Sequence, residues 1–311
     1  MISSTCENNI PVNNILWSKC YSEPNNYNLK KTEYIANEKE ILSQIQQSPV
    51  IWIRNTSCNK HITTDLDILA RHLDKISSPI TLITSDGDRA VPSSYKKSTV
   101  DAILKSPNIT KWLTQNYDKS IIHKKLGHYP IGLDLHTKDW LDPSIKDMHT
   151  QQMAKVNALL SLKKKYTNLK KNRIFVDSHL NNTHPRRPYM HKTLKNHPLI
   201  DFLPNHVSFS KVADRYAAYR FTLSPKGRGL DCHRTWEIML AGSIPIVEVS
   251  SLSEMYVKHN LPVVIIPNFK CLLNINESHL NKWWEELSPL TETTKLLPKF
   301  TPEYWKNNSP K

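Results

Sequence analysis

Short apolar runs alternate with helical patterns along this chain, and the alternation constrains its fold more than any other feature does. The strand candidates are VIWIR (from Val50), ITLITS (from Ile80), KLGHYPI (from Lys125), RIFVDS (from Arg173), YRFTLS (from Tyr219), SIPIVEV (from Ser243) and LPVVIIP (from Leu261). The helix candidates are DLDILARHLDKI (from Asp65) and segments that begin near Glu38, Ala102, Gln151, Lys211, Cys232 and Leu280. Strands separated by helices form βαβ units, and strands that are apolar throughout are buried on both faces. The sequence therefore predicts an α/β protein with mostly parallel sheets.

The length of 311 residues allows two domains, at roughly 100–200 residues for each domain. We expect the linker at about residues 141–150, where one α/β set ends and a long helix begins. This boundary divides the chain into residues 1–145 and residues 146–311. The last helix could pack back on the first of these two domains.

Composition excludes several classes of protein. No apolar run approaches the roughly 18 residues of a transmembrane helix, so we expect no membrane span. The N-terminus lacks a basic start followed by an apolar core, so a secretory signal is not predicted. The five cysteines form no CxxC motif and no ligand cluster, which is typical of free thiols in a reducing compartment. We therefore expect a cytoplasmic protein.

The positive charge of the chain is concentrated in one segment. The net charge is +14, and residues 151–198 hold eleven lysines and arginines against Asp177 alone. Such a segment indicates either a surface that faces a polyanion or a solvated helix face followed by a polar loop. Glycine is scarce: six residues, about 2% of the chain, where roughly 7% is usual. Each glycine should therefore mark a place where a side chain does not fit or where φ is positive.

The segment YRFTLSPKGRGLDCHRTWEIMLAGSIPIVEVS, residues 219–250, contains the strongest chemical signal. It predicts a strand, a glycine loop, a helix and a second strand. Asp231 is the predicted N-cap of the helix, and Gly242 is the residue that ends it. Backbone N–H groups at a glycine loop and a helix start form a site for an anion.

The charged residues of this segment indicate which anion it would bind. Arg234 lies at the helix start and suits a diphosphate, because guanidinium binds phosphate in bidentate fashion. Glu237 lies one turn later, and a carboxylate can accept hydrogen bonds from both ribose hydroxyls. Lys226 and Arg228 add positive charge in the loop. The pattern predicts a nucleotide-diphosphate site, although the same spacing also allows Arg234 and Glu237 to pair with each other on an exposed helix.

The segments LSPKGRGLD, HRTWE and AGSIPIV resemble the exostosin-like glycosyltransferases, the broad glycosyltransferase family 47 group. TSDGDRAVPSS (from Thr84), TQNYD (from Thr114), YPIGLDLHT (from Tyr129) and SLSEMYVKHNLPVVII (from Ser251) resemble the branch of that group found in algal, protist and large-virus proteins. These pieces follow the expected order from about residue 80 to residue 267. Two positions depart from the pattern: Ser243, where many relatives have Cys, and Glu248, where a neutral or basic residue is expected.

The resemblance implies a GT-B type glycosyltransferase, with two facing Rossmann-like domains and an active site in the cleft between them. Residues 1–145 would bind the acceptor, and residues 146–311 would bind the nucleotide sugar. The donor-binding residues would be Ser224, Lys226, Gly227, Arg228, Gly229, Arg234 and Glu237, with Arg234 on the diphosphate and Glu237 on the ribose. The donor would be a UDP-sugar such as UDP-xylose, UDP-galactose or UDP-glucuronate. Its sugar would pass, with inversion, to a hydroxyl of a glycan or glycoprotein.

Sugar transfer needs a general base that takes the proton of the acceptor hydroxyl. Two loops at the carboxyl ends of predicted strands offer one. The loop SDGDR contains Asp86, Asp88 and Arg89, and the loop GLDLHT contains Asp134 and His136. Our first choice of base is Asp134 and our second is Asp86, with the other three as acceptor-side candidates. Each of them also has a structural interpretation, as a turn, cap or buried residue.

No cofactor is expected besides the nucleotide sugar. Asp86 and Asp88 have the DxD form of metal-dependent transferases, but the rest of the chain does not resemble that fold. A divalent cation is therefore allowed but not expected, since a positive loop and helix start can stabilise the leaving group. The alternative function is a basic protein that binds nucleic acid, another polyanion or a glycan without catalysis. No known nucleic-acid-binding motif supports it, and aromatic residues do not alternate with the basic run.

Overall fold

A computed structural model of the protein describes residues 15–21, 38–55, 63–135, 144, 148–177, 186–203 and 207–308. It contains two sheets, of four and five strands, and neighbouring strands run parallel in both. Helices connect the strands. The prediction of an α/β protein with parallel sheets is confirmed. Within the described residues no helix has the length and apolar character needed to cross a bilayer.

The first sheet has the strand order β1-β2-β3-β4, which is the order of the chain. Its strands are β1 (Val50–Arg54), β2 (Ile80–Ser85), β3 (Ile109–Thr114) and β4 (Leu126–His128). Three helices accompany them: α1 (Glu38–Gln47), α2 (Asp65–Arg71) and α3 (Lys97–Lys105). The α2 helix begins with a capping box, in which Thr64 and Asp67 bond each other's backbone N–H groups. The helix predicted from Asp65 is therefore real but ends earlier, and a 3-10 turn (Leu73–Lys75) follows it.

The second sheet has the strand order β6-β5-β7-β8-β9. The order in which strands are added therefore reverses at β5, because β6 lies on one side of it and β7 on the other. Its strands are β5 (Lys171–Val176), β6 (Ile200–Phe202), β7 (Tyr219–Leu223), β8 (Ile244–Glu248) and β9 (Val264–Ile266). The remaining helices are α4 (Met148–Lys165), α5 (Arg186–Leu194), α6 (Phe209–Ala218), α7 (His233–Leu240), α8 (Ser253–Lys258), α9 (Glu277–Leu287), α10 (Thr293–Leu296) and α11 (Pro302–Asn308). The reversal creates a topological switch point between β5 and β7.

Two strands, β3 and β6, and four helices, α5, α8, α10 and α11, were not predicted. The strand β3 begins ITKW, where Thr110 and Lys111 interrupt the apolar pattern. The Lys111 ammonium donates to the backbone carbonyl of Lys306 at 2.9 Å, so a polar residue is satisfied inside this strand. The strand β6 has only three residues, and α5 is rich in polar residues. The helix predicted near Ala102 is α3, and it begins earlier, at Lys97.

The apolar core is continuous between the two sheets. One cluster of buried side chains joins Trp52 of β1 and Phe175 of β5 with Trp236 of α7. The C-terminal segment completes this cluster, because the rings of Phe300 and Trp305 pack edge-on against Trp236, with centroids 5.5 and 5.9 Å away. The last helix therefore contacts both α7 and, through the Lys306 carbonyl, the first sheet. The predicted linker at about 141–150 lies mostly outside the described residues.

Glycine is needed where the backbone turns sharply. Gly242 has φ of +78° and ends α7, as its sequence position predicted. Its N–H bonds the carbonyl of Met239, and the next N–H, of Ser243, bonds the carbonyl of Ile238, which together form a Schellman motif. Gly132 has φ of +65° and lies against the backbone of Leu16. The N-terminal segment at Leu16 is thus packed directly on the chain after β4.

We expect Gly132→Ala to destabilise the fold by about 1–3 kcal/mol or more, because a positive φ strains a side-chain-bearing residue and the new Cβ would overlap the Leu16 carbonyl. Urea denaturation followed by circular dichroism measures the effect. The control is Gly227→Ala, where φ is not positive and the nearest atom, Cys232 Sγ, would lie 3.4 Å from the Cβ. Equal unfolding midpoints for the two variants would contradict this account of Gly132.

Candidate functional site

The switch point of the second sheet brings together two segments that are distant in the sequence. Asp177 directly follows β5, and the glycine loop 224–232 follows β7 and leads into α7. Because β5 and β7 are parallel neighbours, their carboxyl ends meet at one edge of the sheet. In open α/β sheets, ligands bind in the crevice at this place. The topology therefore places a ligand site beside the segment that the sequence singled out.

A pocket of about 110 Å³ lies at this edge of the sheet. It is lined by the end of β8, by residues that follow β7, β8 and β9, by the first residues of α5 and α7, and by one residue of α8: Arg186, Ser224, Lys226, Leu230, Cys232, Thr235, Val247, Glu248, Val249, Ser250, Tyr256 and Pro267. Sites for whole small-molecule ligands usually measure roughly 300–1,000 Å³. The pocket is therefore large enough for one part of a nucleotide, whose remainder would extend along the sheet edge.

Arg234 is held at the switch point by an acidic residue from β5. Its Nε atom lies 2.6 Å from Oδ2 of Asp177, and Tyr216 donates its hydroxyl to the same oxygen at 2.8 Å. Burial acts to lower the pKa of Arg234, but the interactions with Asp177, Tyr216 and Cys232 together outweigh it, and the pKa rises above its ordinary value. The Arg234 side chain is 13% exposed, whereas that of Asp177 is 1% exposed. A charged guanidinium is thus fixed at the first turn of α7 with part of its surface accessible.

Glu237 lies on the inner side of the same helix. Its carboxylate accepts a hydrogen bond from Lys155 of α4 at 2.6 Å, and the two side chains are 1% and 2% exposed. The Lys155 ammonium also bonds the backbone carbonyl of Asp134 and lies 4.4 Å from the ring centroid of Phe209. Arg234 and Glu237 therefore do not pair with each other, contrary to one interpretation of their spacing. The structure places Glu237 behind the pocket, not on its wall.

The glycine loop is held from behind by a buried arginine. The guanidinium of Arg187, in α5, donates to the carbonyls of Pro225 and Lys226 at 3.1–3.3 Å. Burial, with Arg234 nearby, lowers the pKa of Arg187. The Gly227 N–H lies 3.0 Å from Cys232 Sγ, which closes the loop onto the helix start. The side chains of Lys226 and Arg228 remain exposed.

Ser224 lies at the base of the pocket. Its N–H continues the sheet by bonding the carbonyl of Ile246, and its hydroxyl is 2.9 Å from that of Thr235. Ser224 is buried, so its role here is to connect the end of β7 with α7. Of the seven predicted donor residues, Ser224 and Lys226 line the pocket directly.

Asp231 joins the two sheets. It was predicted as the N-cap of α7, but Cys232 occupies that position. The prediction is wrong because the Asp231 carboxylate accepts from the backbone N–H of Ile131 at 2.8 Å and from the Trp236 indole at 3.0 Å. His233, the first residue of α7, contacts the same segment, because its Nδ1 lies 2.9 Å from the Gly132 carbonyl oxygen. The start of α7 is thereby fixed against the chain that follows β4.

Asn116 is a second connection between the chain segments that follow the two sheets. Its side-chain oxygen accepts the N–H of Asp231 at 2.9 Å, and its side-chain nitrogen donates to the Gly87 carbonyl at 2.9 Å. A Cβ on Gly229 would lie 2.9 Å from the Asn116 amide, so this glycine permits the close approach. Asn116 itself has φ of +58°, which asparagine tolerates better than most residues. The acidic loop after β2 is thus linked to the glycine loop by one buried side chain.

The two aspartates of the acidic loop have different environments. The Asp86 carboxylate is bound by Arg54 Nε at 2.8 Å and by the Ser18 hydroxyl at 3.2 Å, with Lys19 Nζ 3.7 Å away. Asp88 is half-buried. Burial raises the pKa of Asp88, and Asp86 raises it further. Arg228 of the glycine loop and His233 of α7 act to lower it. Asp88 therefore lies within electrostatic range of the glycine loop and of α7.

The other predicted residues are Asp134, the first choice of base, and the acceptor-side candidates Arg89 and His136. Arg89 donates to the carbonyl of Ser94 at 3.2 Å and lies 5.6 Å from the ring centroid of Tyr95. Its guanidinium therefore packs against the segment between β2 and α3. Asp134 is buried, at 9% exposure, and its carbonyl accepts from Lys155. His136 lies outside the described residues.

Three site residues were not identified from the sequence. Asp177 had a signal, because it follows the strand RIFV and stands alone among eleven basic residues. Asn116 belongs to the TQNYD segment, but nothing in its spacing indicates a contact with residue 231. Arg187 is one of many cations in its segment, and only its burial against the loop carbonyls distinguishes it.

A larger cavity, of about 360 Å³, lies between β4 and α8. Its walls include Lys119, His128, Glu254, Lys258 and His259. Burial lowers the pKa of both histidines to about 4, so their imidazoles are neutral at pH 7. Lys119 is paired with Glu254. We place the ligand site at the switch point despite its smaller pocket, because the glycine loop, the helix start and Arg234 converge there.

Within the described part of the chain, no group of three or more His, Cys, Asp or Glu side chains is arranged to hold a metal ion. Comparison of the chain with protein-family models and with curated proteins finds no match.

Replacing Lys155 by Ala should destabilise the protein by about 3–5 kcal/mol, because it leaves the Glu237 carboxylate buried and uncompensated. Changing Lys164 to Ala, an exposed residue of the same helix, should alter stability by no more than about 0.5 kcal/mol. Denaturant titration of both variants measures the difference. The double variant Lys155→Met with Glu237→Leu should recover much of the loss, since it removes both charges. A small effect of Lys155→Ala would show that the pair is not buried in solution.

Proposed function

We propose that the protein is a nucleotide-sugar glycosyltransferase of the GT-B type, with the nucleotide held at the switch point of the second sheet. The observation that carries the proposal is the position of Arg234. A guanidinium, fixed by Asp177, lies at the first turn of α7 beside a glycine loop. Backbone N–H groups, the helix dipole and the guanidinium all favour a diphosphate at this place. The resemblance to exostosin-like transferases supports the same activity.

The positive groups would act on the leaving nucleotide. Transfer breaks the bond between C1 of the sugar and the diphosphate oxygen, and the electron pair leaves with the diphosphate. Arg234 and the helix start would stabilise the charge that develops there, with Lys226 and Arg228 as exposed contacts from the loop. Asp177 and Arg187 hold these groups in place before the donor binds. Xylose, galactose and glucuronic acid remain the leading sugars, on the basis of the resemblance.

Asp88 is the general base that the geometry supports best. The Asp86 carboxylate is occupied by Arg54, and Asp134 is buried. Asp88 is half-buried, lies within electrostatic range of Arg228 and His233, and has a raised pKa, which makes its carboxylate a stronger base. It would accept the proton of the acceptor hydroxyl while the hydroxyl oxygen attacks C1 from the face opposite the diphosphate. Inversion at C1 follows from that direction of attack.

The burial of basic residues disfavours the alternative, a polyanion-binding protein. In the basic segment 151–198, Lys155 and Arg187 are buried and engaged by internal partners. Burial lowers the pKa of Lys163 to about 8 and that of Lys170 to about 7, and both ammonium groups donate to backbone carbonyls. A substantial share of this charge is therefore internal and cannot face a polyanion.

Nucleoside diphosphates should stabilise the protein against heat, and Arg234→Lys should lose most of that stabilisation. A ligand at about 100 times its Kd adds about 2.7 kcal/mol. Lysine keeps the ion pair with Asp177 but loses the bidentate contact, so we expect Kd to rise about tenfold or more. The control is Arg220→Ala, at the opposite end of β7, which should keep the full ligand-induced shift. No shift with any nucleotide in the unmodified protein would refute the proposed function.

Asp88→Asn should reduce the rate of donor turnover by about 100-fold or more while leaving donor binding intact. The assay measures release of nucleoside diphosphate from a stabilising nucleotide sugar, with a glycan or water as acceptor. The unmodified protein should lose activity as pH falls through the pKa of Asp88, at a pH above the ordinary aspartate value of about 3.9, because only the carboxylate accepts a proton. Asp74→Asn, at an exposed site, is the control. Normal turnover in Asp88→Asn would exclude Asp88 as the base.

A further inference from the structure

Glu248 places a carboxylate on the wall of the switch-point pocket. It ends β8, and its side chain is 18% exposed. One oxygen, Oε1, accepts from Arg186 Nη2 at 3.1 Å and from the backbone N–H of Phe269 at 3.2 Å. Both Glu248 and Arg186 line the pocket. The pocket therefore presents a guanidinium and a carboxylate side by side, in a fixed arrangement.

The pocket connects this pair with the glycine loop. The diphosphate residues are at the switch point, between β5 and β7. The pocket extends from the glycine loop, at Lys226 and Cys232, towards the ends of β8 and β9, at Val249 and Pro267. Val249 is 60% exposed, so it offers an apolar surface to the flat face of a base. A nucleotide with its diphosphate on Arg234 would therefore direct its base towards Glu248.

The donor and acceptor groups of the pair match guanine best, because only guanine offers two adjacent donors to one carboxylate beside an acceptor for the guanidinium. A carboxylate only accepts hydrogen bonds, and a guanidinium only donates them. The Watson–Crick edge of guanine presents an acceptor, O6, followed by two donors, N1–H and N2–H₂. Uracil presents one donor, N3–H, between two carbonyl oxygens, so a carboxylate that meets N3–H also approaches a carbonyl. Adenine and cytosine each present a single amino donor beside an acceptor nitrogen.

We propose that the donor nucleotide of this protein is a guanosine diphosphate sugar, with Glu248 accepting from N1–H and N2–H₂ and Arg186 donating to O6. The proposal rests on the proposed function and concerns the same site. It departs from the uracil base that the resemblance implies, at a position where the sequence departs from the family pattern. Glu248 also supports the chain at Phe269. That structural role alone predicts no preference among nucleotides.

Binding of GDP, UDP and inosine diphosphate (IDP) to the unmodified full-length protein, measured by isothermal titration calorimetry at one salt concentration, tests the proposal. GDP should bind at least tenfold more tightly than UDP, because an unmatched hydrogen-bonding site rejects the wrong base. IDP lacks only the N2 amino group, so it should bind more weakly than GDP. This comparison needs no mutation and is not affected by any loss of stability in a variant.

The variant Glu248→Gln should lose most of the preference for GDP over UDP, since its amide presents one donor and one acceptor. Glu254→Gln, an exposed residue of α8 outside this pocket, is the matched control and should keep the preference. Binding of UDP as tight as that of GDP would overturn the guanine proposal and leave the proposed function standing. Equal affinity for IDP and GDP would also overturn it. Binding of none of the three would overturn the proposed function itself.

Discussion

Two buried ion pairs hold α7 in place, and the candidate site depends on both. Arg234 is bound by Asp177 at the end of β5, and Glu237 is bound by Lys155 of α4. An unpaired charge at either position would be costly, because burial removes it from water. The helix therefore has one stable position relative to β5 and α4. That position places the start of α7 at the switch point, where the glycine loop and the pocket lie.

Electrostatic preorganisation follows from this arrangement. The positive groups at the sheet edge are held by partners behind them, and they need not move when an anion arrives. On the facing side, Asn116 connects the Gly87 carbonyl to the Asp231 N–H, so the acidic loop and the glycine loop keep a fixed distance. Asp88 then lies near the glycine loop in a half-buried position, where its pKa is raised. The two halves of the site are coupled by hydrogen bonds between backbone and side chains.

Much of the fold could be predicted from apolar patterns, because strands buried on both faces consist of continuous apolar runs. All seven predicted strand segments contain a strand of the structure. The patterns failed where a polar residue is satisfied by a distant partner. Lys111 interrupts the apolar run of β3 and bonds the carbonyl of Lys306, and Arg187 occupies a polar helix but is buried against the loop after β7. Such partners lie far away in sequence, so no local pattern indicates them.

For the site, the sequence by itself determined the glycine loop, the helix that follows it and the stop at Gly242, because each depends on local backbone chemistry. Only the tertiary structure decided the partners of the charged residues. Arg234 and Glu237 are three residues apart, yet they pair with Asp177 and Lys155. Among the acidic candidates, the Asp86 carboxylate is occupied by Arg54, whereas Asp88 lies within electrostatic range of Arg228 and His233. The physical reason is that ion pairing and burial depend on distances between elements, which the topology of the two sheets sets and the spacing along the chain does not.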